Sequence, residues 1–243
     1  MGLKVIYMYM IDGILLIDKQ EGITSFDVIR KLKRVLEKGQ KIGHAGTLDP
    51  FATGLLVILL GRATKLMNTF HTFEKEYFVK GELGFETDTQ DITGKKILEG
   101  KHVVPSLEEI EGCIRENLLG NILQIPPIYS AKKVDGMRAY DIARKGGNVD
   151  LKAKEIFVSK FDVVSYEYPA LSCSIVCSTG TYVRTLIKDL GERLGTYATA
   201  SVLRRVSIGE FNVEMAIKSQ DIETSGIENI SKRVIDISKV KST

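Results

Sequence analysis

Cysteine and histidine are scarce in this chain, and their scarcity narrows its chemistry. Cys113, Cys173 and Cys177 are the only cysteines. Their odd number and the lack of doubled C-x-x-C spacing give neither a disulfide framework nor a zinc site. Cys173 and Cys177 stand four apart in a strand-like stretch, so both face one side and read as buried thiols. His44, His71 and His102 form no metal-ligand pattern, and no metal is expected. No apolar run approaches the ~20 residues of a membrane span; the longest clear one is Leu55 to Leu60. The opening MGLKVIYMYMID is cut short at Asp12, too early for a signal peptide. Cytoplasmic residence is the expectation.

An excess of one charge is also missing. A net charge of +3 does not by itself point to nucleic acid. The distribution is more informative. Arg30, Lys31, Lys33, Arg34, Lys38 and Lys41 face only Asp27 and Glu37 within Ser25 to Lys41. Lys132, Lys133, Arg138, Arg144 and Lys145 face only Asp135 and Asp141 within Ser130 to Gly147. Local positive patches hold phosphates even when the total is balanced. The first run is equally well the wet face of an amphipathic helix.

A length of 243 residues allows one large domain or two small ones. GILLIDK, residues 13–19, reads as a buried strand. Thr24-x-x-Asp27 makes a capping box, and Val28, Leu32, Val35 and Leu36 form one helical stripe that Gly39 would stop. Leu55 to Leu60 and Tyr77 to Leu83 read as strands, the second followed by the polar loop TDTQDITGK. Ser106-x-x-Glu109 opens a helix to about Leu118. Pro126-Pro127 break the chain before the basic segment, in which Met137 to Lys145 looks like a short helix stopped by Gly146-Gly147. Glu155 to Tyr168 and Leu171 to Ser178 are strands joined by a turn at Pro169. Thr181 to Leu194 is a helix, and Val202 to Phe211 another strand. Strands linked by turns rather than by β-α-β alternation predict an α+β fold with a largely antiparallel central sheet flanked by helices.

The most telling stretch is KIGHAGTLDPFATG, Lys41 to Gly54. Asp49 precedes Pro50, which pushes it out of the α region into extended geometry. Gly43 and Gly46 let the backbone turn or approach a ligand closely. The carboxylate is thus presented from an irregular loop, where functional groups concentrate. Asp-Pro alone would be an ordinary turn.

The whole block GHAGTLDPFATGLLVILLGRATK resembles the TruB-type tRNA pseudouridine synthases. Four further blocks agree in order and spacing: GILLIDKQEGITSFDVI, KEYFVKGELGFETDTQDITG, IPPIYSAKKVDGMRAYDIARKG and CSTGTYVRTLIKDLGERLG. The resemblance spans residues 13–212 and implies a pseudouridine synthase catalytic domain over that range, with an RNA-gripping insertion at about 125–147. Residues 213–243 form a tail too short for a complete PUA-like domain.

Pseudouridine formation cuts a ribose C1′–N1 bond, turns the uracil and rejoins it through C5, with no cofactor or metal. The resemblance implies Asp49 as the catalytic carboxylate. Attack at C1′, addition to the ring and a glycal-like route are all compatible with it. Arg184 would pair with that acid, and a nearby guanidinium lowers a carboxylate pKa by ~1–3 units. Tyr77, also placed among the catalytic residues, and Tyr182 would stack on the uracil, with Leu203 on its other face. His44 would fill the gap left by the flipped nucleotide. Without the resemblance, Tyr77 reads as core packing, and Leu203 reads equally well as a core leucine. Lys132 and Lys133 would contact phosphates, giving affinity without sequence readout. The implied substrate is the T arm of tRNA at uridine 55, bound by a monomer with no obligatory protein partner and no membrane. The rival readings are a dyskerin-like enzyme working inside a guide-RNA particle and a non-catalytic RNA-folding module.

Overall fold

The computed structural model describes residues 10–100, 104–130, 133–134, 137–138 and 151–240. Along the chain the strands are β1 (Gly13–Lys19), β2 (Ile42–His44), β3 (Thr53–Leu60), β4 (Lys75–Leu83), β5 (Phe85–Thr87), β6 (Lys96–Glu99) and β7 (Gly120–Gln124). They continue with β8 (Lys133–Val134), β9 (Met137–Arg138), β10 (Lys154–Glu167), β11 (Ala170–Cys177), β12 (Ala198–Ile208), β13 (Phe211–Asn212) and β14 (Ile217–Lys218). The described helices are α1 (Ser25–Val35), α2 (Met67–Thr72), α3 (Leu107–Asn117), α4 (Val183–Arg193) and α5 (Ile222–Lys232). The class is α+β, as expected. Two compact units divide the chain, one of Met1–Phe73 with Arg204–Thr243 and one of Glu74–Leu203.

The first unit is built on β1 and β3, antiparallel from Gly13↔Leu60 to Lys19↔Gly54. Leu55 to Leu60 are fully buried, which is why this strand reads as an unbroken apolar run rather than an alternation. Leu55, Val57 and Leu59 share one core with Ile14, Leu16, Phe70 and Phe211. Strand β2 pairs with β3, and the end of β12 runs parallel to the start of β3, with Arg204 opposite Thr53 and Arg205 opposite Gly54. Gly54, at φ +102°, is required there: a Cβ would lie 2.3 Å from the Arg205 carbonyl oxygen.

Helix α1 carries the anticipated capping box, with both reciprocal bonds made. It ends earlier than the glycine suggested. Buried Leu36 already leaves the helix in extended geometry, and Gly39, at φ +92°, serves the turn that follows. The basic face of α1 is partly spent on the protein itself. Arg30 pairs with Asp27 at 2.6 Å and Arg34 with Glu223 of α5 at 2.7 Å, while Lys31 Nζ donates to the Ser219 carbonyl at 3.2 Å.

The tail is knitted into this unit. Strand β14 lies parallel to β1, Ile14 and Ile235 exchange backbone bonds of 2.9 and 2.8 Å, and Ile235, Ile237 and Val240 pack against the core. Helix α5 is interrupted at Gly226, at φ 67°. The expected single strand from Val202 to Phe211 is two. Gly209-Glu210 makes a two-residue hairpin loop, and Phe211 folds back opposite Ile208.

In the second unit the strands run in the order β12 (through Leu203), β4, β11, β10, β7. The pairs β4–β11, β11–β10 and β10–β7 are antiparallel. The β10–β11 turn falls at Tyr168-Pro169, as the sequence predicts, and that peptide is cis. Helix α4 lies close on β4, since a Cβ on Gly81 would sit 2.9 Å from Ile187. One expectation is overturned. Met137 and Arg138 belong to β9, paired with β8, and not to a helix; Asp135-Gly136 in the sequence is the strong hairpin dipeptide that the helical reading passed over. The remainder of that predicted helix, from residue 139, lies outside the described residues.

Candidate active site

Asp49 is half-buried on the loop between β2 and β3. Every backbone carbonyl from Gly46 to Pro50 already has a donor. Arg205 Nη2 donates to Gly46 O at 3.0 Å and Nη1 to Thr47 O at 3.5 Å. Ser25 Oγ donates to Leu48 O at 3.2 Å and accepts from Leu48 N at 2.9 Å. Ala52 N donates to Asp49 O at 3.1 Å, and Gly22 N to Pro50 O at 2.8 Å. Lys19 Nζ also reaches Pro50 O, at 3.3 Å, besides the carbonyls of Gln20 (2.9 Å) and Ile23 (2.8 Å).

Lys19 is fully buried. Burial pushes its pKa down to about 8, against the nearby negative charge of Asp49. His44 closes β2, with a buried Nδ1 that has no hydrogen-bond partner among the described residues. Burial first, then the charge of Arg205, lowers its pKa, against the Gly46 carbonyl. The imidazole is therefore neutral at neutral pH.

The second unit holds the other candidates. Tyr182 is the N-cap residue of α4, and its backbone is clasped by the Gln124 amide. Tyr182 N donates to Gln124 Oε1 at 2.8 Å, and Gln124 Nε2 donates back to Tyr182 O at 3.1 Å. Arg184, in the first turn of α4, is 2% exposed. Within this unit it forms an ion pair with Asp91 at 3.5 Å and donates to the carbonyls of Thr89 and Tyr129. Asp91 in turn accepts from Thr89 Oγ1 at 2.9 Å and Thr93 N at 3.0 Å. Tyr77 of β4 and Leu203 of β12 are buried in neighbouring strands. Lys133 belongs to β8; Lys132 lies outside the described residues.

The fold thus gathers His44 and Asp49 onto one braced loop, and Tyr182 and Arg184 onto one helix start. Sequence reasoning missed Lys19, Ser25, Arg205, Gln124 and Asp91. Two of these had a faint signal: a lysine ending the apolar GILLID, and an arginine inside the strand VLRRVSI. Among the described residues no group of His, Cys, Asp and Glu side chains is arranged to hold a metal. Cys173 and Cys177 are buried, as the sequence predicts, and burial raises their thiols to about 12 and about 11, leaving them unreactive. No described helix is long and apolar enough to cross a membrane.

The family description "TruB family pseudouridylate synthase (N terminal domain)" matches residues 33–183, and "tRNA pseudouridylate synthase B C-terminal domain" matches residues 184–235. The tRNA pseudouridine synthase B of Endomicrobium trichonymphae is 43% identical over 93% of this chain and 97% of its own length. That of Fusobacterium nucleatum is 44% identical over 84% of this chain and 70% of its own. Among solved structures, a Cbf5-Nop10-Gar1 complex aligns with TM-score 0.67 and 26% identity over 92% of this chain, which spans 59% of that one. The chain therefore belongs to the TruB family of pseudouridylate synthases.

Proposed function

We propose that this enzyme converts uridine 55 in the T arm of tRNA to pseudouridine, acting as a cytoplasmic monomer without a guide RNA or protein partner. Asp49 is the catalytic carboxylate and Arg184 its cationic partner; Tyr77, Tyr182 and Leu203 hold the uracil, and His44 takes the flipped base's place. The catalytic domain covers residues 13–212, and its insertion at about 125–147, with Lys132 and Lys133, grips phosphates. The observation that carries this reading is the Asp49 loop. A turn aspartate ordinarily serves its own backbone. Here the backbone carbonyls from Gly46 to Pro50 all have donors, most of them from outside the loop, so the loop that presents Asp49 is braced by the surrounding fold. The tRNA assignment draws support from the names of relatives 41–44% identical to this chain.

The test is tritium release from C5-labelled uridine in unmodified tRNA by purified protein alone. Release mapped to position 55 is the expected result. No release without a guide RNA would favour a particle-bound enzyme like the H/ACA RNP that is among its structural neighbours. Asp49→Asn keeps the volume and removes the charge, so isomerisation should vanish while tRNA affinity stays within about 3-fold. Single-turnover activity of that variant above a no-enzyme control would sink the assignment.

A further inference from the structure

We infer that Arg205 and Ser25 are positioning residues, which fix the backbone leading into Asp49 and thereby set the rate of the chemical step. The inference rests on the reading of Asp49 as the catalytic carboxylate and goes beyond it.

Arg205 is 2% exposed, on a strand of the first unit. Among the described residues all three of its hydrogen bonds go to backbone carbonyls: Nε to Leu55 O of β3 at 2.7 Å, Nη2 to Gly46 O at 3.0 Å and Nη1 to Thr47 O at 3.5 Å. No described carboxylate forms an ion pair with it. A buried charge without a counter-charge is costly, and a methionine would fill the same space without that cost. What the guanidinium adds is geometric. Its planar fork of donors spans three carbonyls on two segments at once, which neither an apolar side chain nor the compact ammonium of lysine reproduces. The fork is itself anchored, because the parallel register sets Arg205 opposite Gly54. Their backbones are so close that a Cβ at position 54 would lie 2.7 Å from Arg205 N.

Ser25 secures the next residue. It is 2% exposed at the start of α1. Its single hydroxyl engages both backbone groups of Leu48, accepting from N at 2.9 Å and donating to O at 3.2 Å. Gly46, Thr47 and Leu48, the three residues before Asp49, are thus held by two side chains that approach from β12 and α1. A loop would ordinarily leave its carboxylate loosely placed. This one carries its aspartate on a backbone fixed from outside, the support a reacting group needs to stay within about 0.5 Å of productive geometry. A misplacement of 1 Å costs about 100-fold in rate.

The experiment compares Arg205→Lys, Arg205→Met, Ser25→Ala and Ser25→Thr with wild type. Melting temperature, dissociation constant for unmodified tRNA and single-turnover rate are measured well below melting. Arg205→Lys should lose about 10- to 100-fold in rate and Arg205→Met more, with tRNA affinity within about 3-fold. Ser25→Ala should lose about 10-fold, and Ser25→Thr, which restores the hydroxyl, should recover most of it. If Arg205→Met does not fold, the two serine variants and Arg205→Lys still decide. Folded variants with lower melting temperatures but wild-type rates would overturn the inference and leave Arg205 and Ser25 as structural residues. Asp49→Asn separates the two levels. An active Asp49→Asn removes the underlying reading. An inactive one beside fully active Arg205→Lys and Ser25→Ala removes the positioning inference alone.

Discussion

Asp91→Ala should be among the most destabilising single substitutions in the second unit. The Asp91 and Arg184 side chains are 7% and 3% exposed and 3.5 Å apart. Truncating the acid removes a carboxylate that lies 3.5 Å from a buried guanidinium, which also donates to the carbonyls of Thr89 and Tyr129. It also removes the acceptor for Thr93 N and one of the two acceptors for Thr89 Oγ1. Breaking a buried pair from one side costs about 3–5 kcal/mol, and at about 2–4 °C per kcal/mol for a chain of this size the melting temperature should fall by roughly 6–20 °C. Two terms contribute, the lost ion pair and the opened loop, and a double-mutant cycle separates them. Arg184→Leu removes the charge that Asp91 answers, so Asp91→Ala added to it should cost at least 1 kcal/mol less than Asp91→Ala alone. The assay is urea unfolding of wild type, both single variants and the double variant. Additivity within about 0.5 kcal/mol would refute the pairing as an energetic unit, and a loss below about 1 kcal/mol for Asp91→Ala would refute its burial as a cost.

Lys19 is held at about 8 in the fold against 10.5 in the free side chain, so between those values the unfolded chain binds more protons and stability rises with pH. Wild type should therefore gain about 1–3 kcal/mol relative to Lys19→Met between pH 7.5 and 10.5, and a pH-independent difference in urea unfolding would contradict this. His44, lowered from 6.5 by burial, acts in the same direction at acid pH: stability is lost as pH falls below 6.5, where the unfolded chain takes a proton that the fold excludes. His44→Gln should flatten that part of the stability curve, and an imidazole NMR titration of the folded protein at or above 6.5 would reject the cause. Changing Lys132 and Lys133 together to Ala should reduce the slope of log affinity for tRNA against log salt by about one to two units, at roughly 0.7–0.9 per phosphate. An unchanged slope in the folded double variant would make both lysines solvated surface charges.

What the sequence disclosed and what it hid differ by the range of the interaction. The capping boxes at Thr24 and Ser106 were legible because donor and acceptor lie three residues apart. Strand β3 was legible because a strand buried on both faces needs an apolar residue at every position. The misreadings were also local. Gly39 drew attention from buried Leu36, which ends α1, and Gly209-Glu210 passed for the interior of a strand although it is a hairpin loop.

The braces of the site obey no such local rule. Arg205 meets Leu55 and Gly46 across separations of 150 and 159 residues, Arg184 meets Thr89 across 95, and Gln124 meets Tyr182 across 58. Most of the acceptors are backbone carbonyls, which every residue has, so no residue type marks the receiving end. Composition misleads further. Lysine and arginine belong to the surface unless paired, which makes Lys19 look like the solvent-facing end of a strand and Arg205 like a solvent-facing position within one, and TDTQDITG looks like a solvated loop although Asp91 within it is buried. A motif shows where a reacting group stands in the chain. The groups that hold it there become visible only when the fold brings a charged side chain to a carbonyl more than a hundred residues away, and it is among those long-range contacts that further determinants of the reaction rate are to be sought.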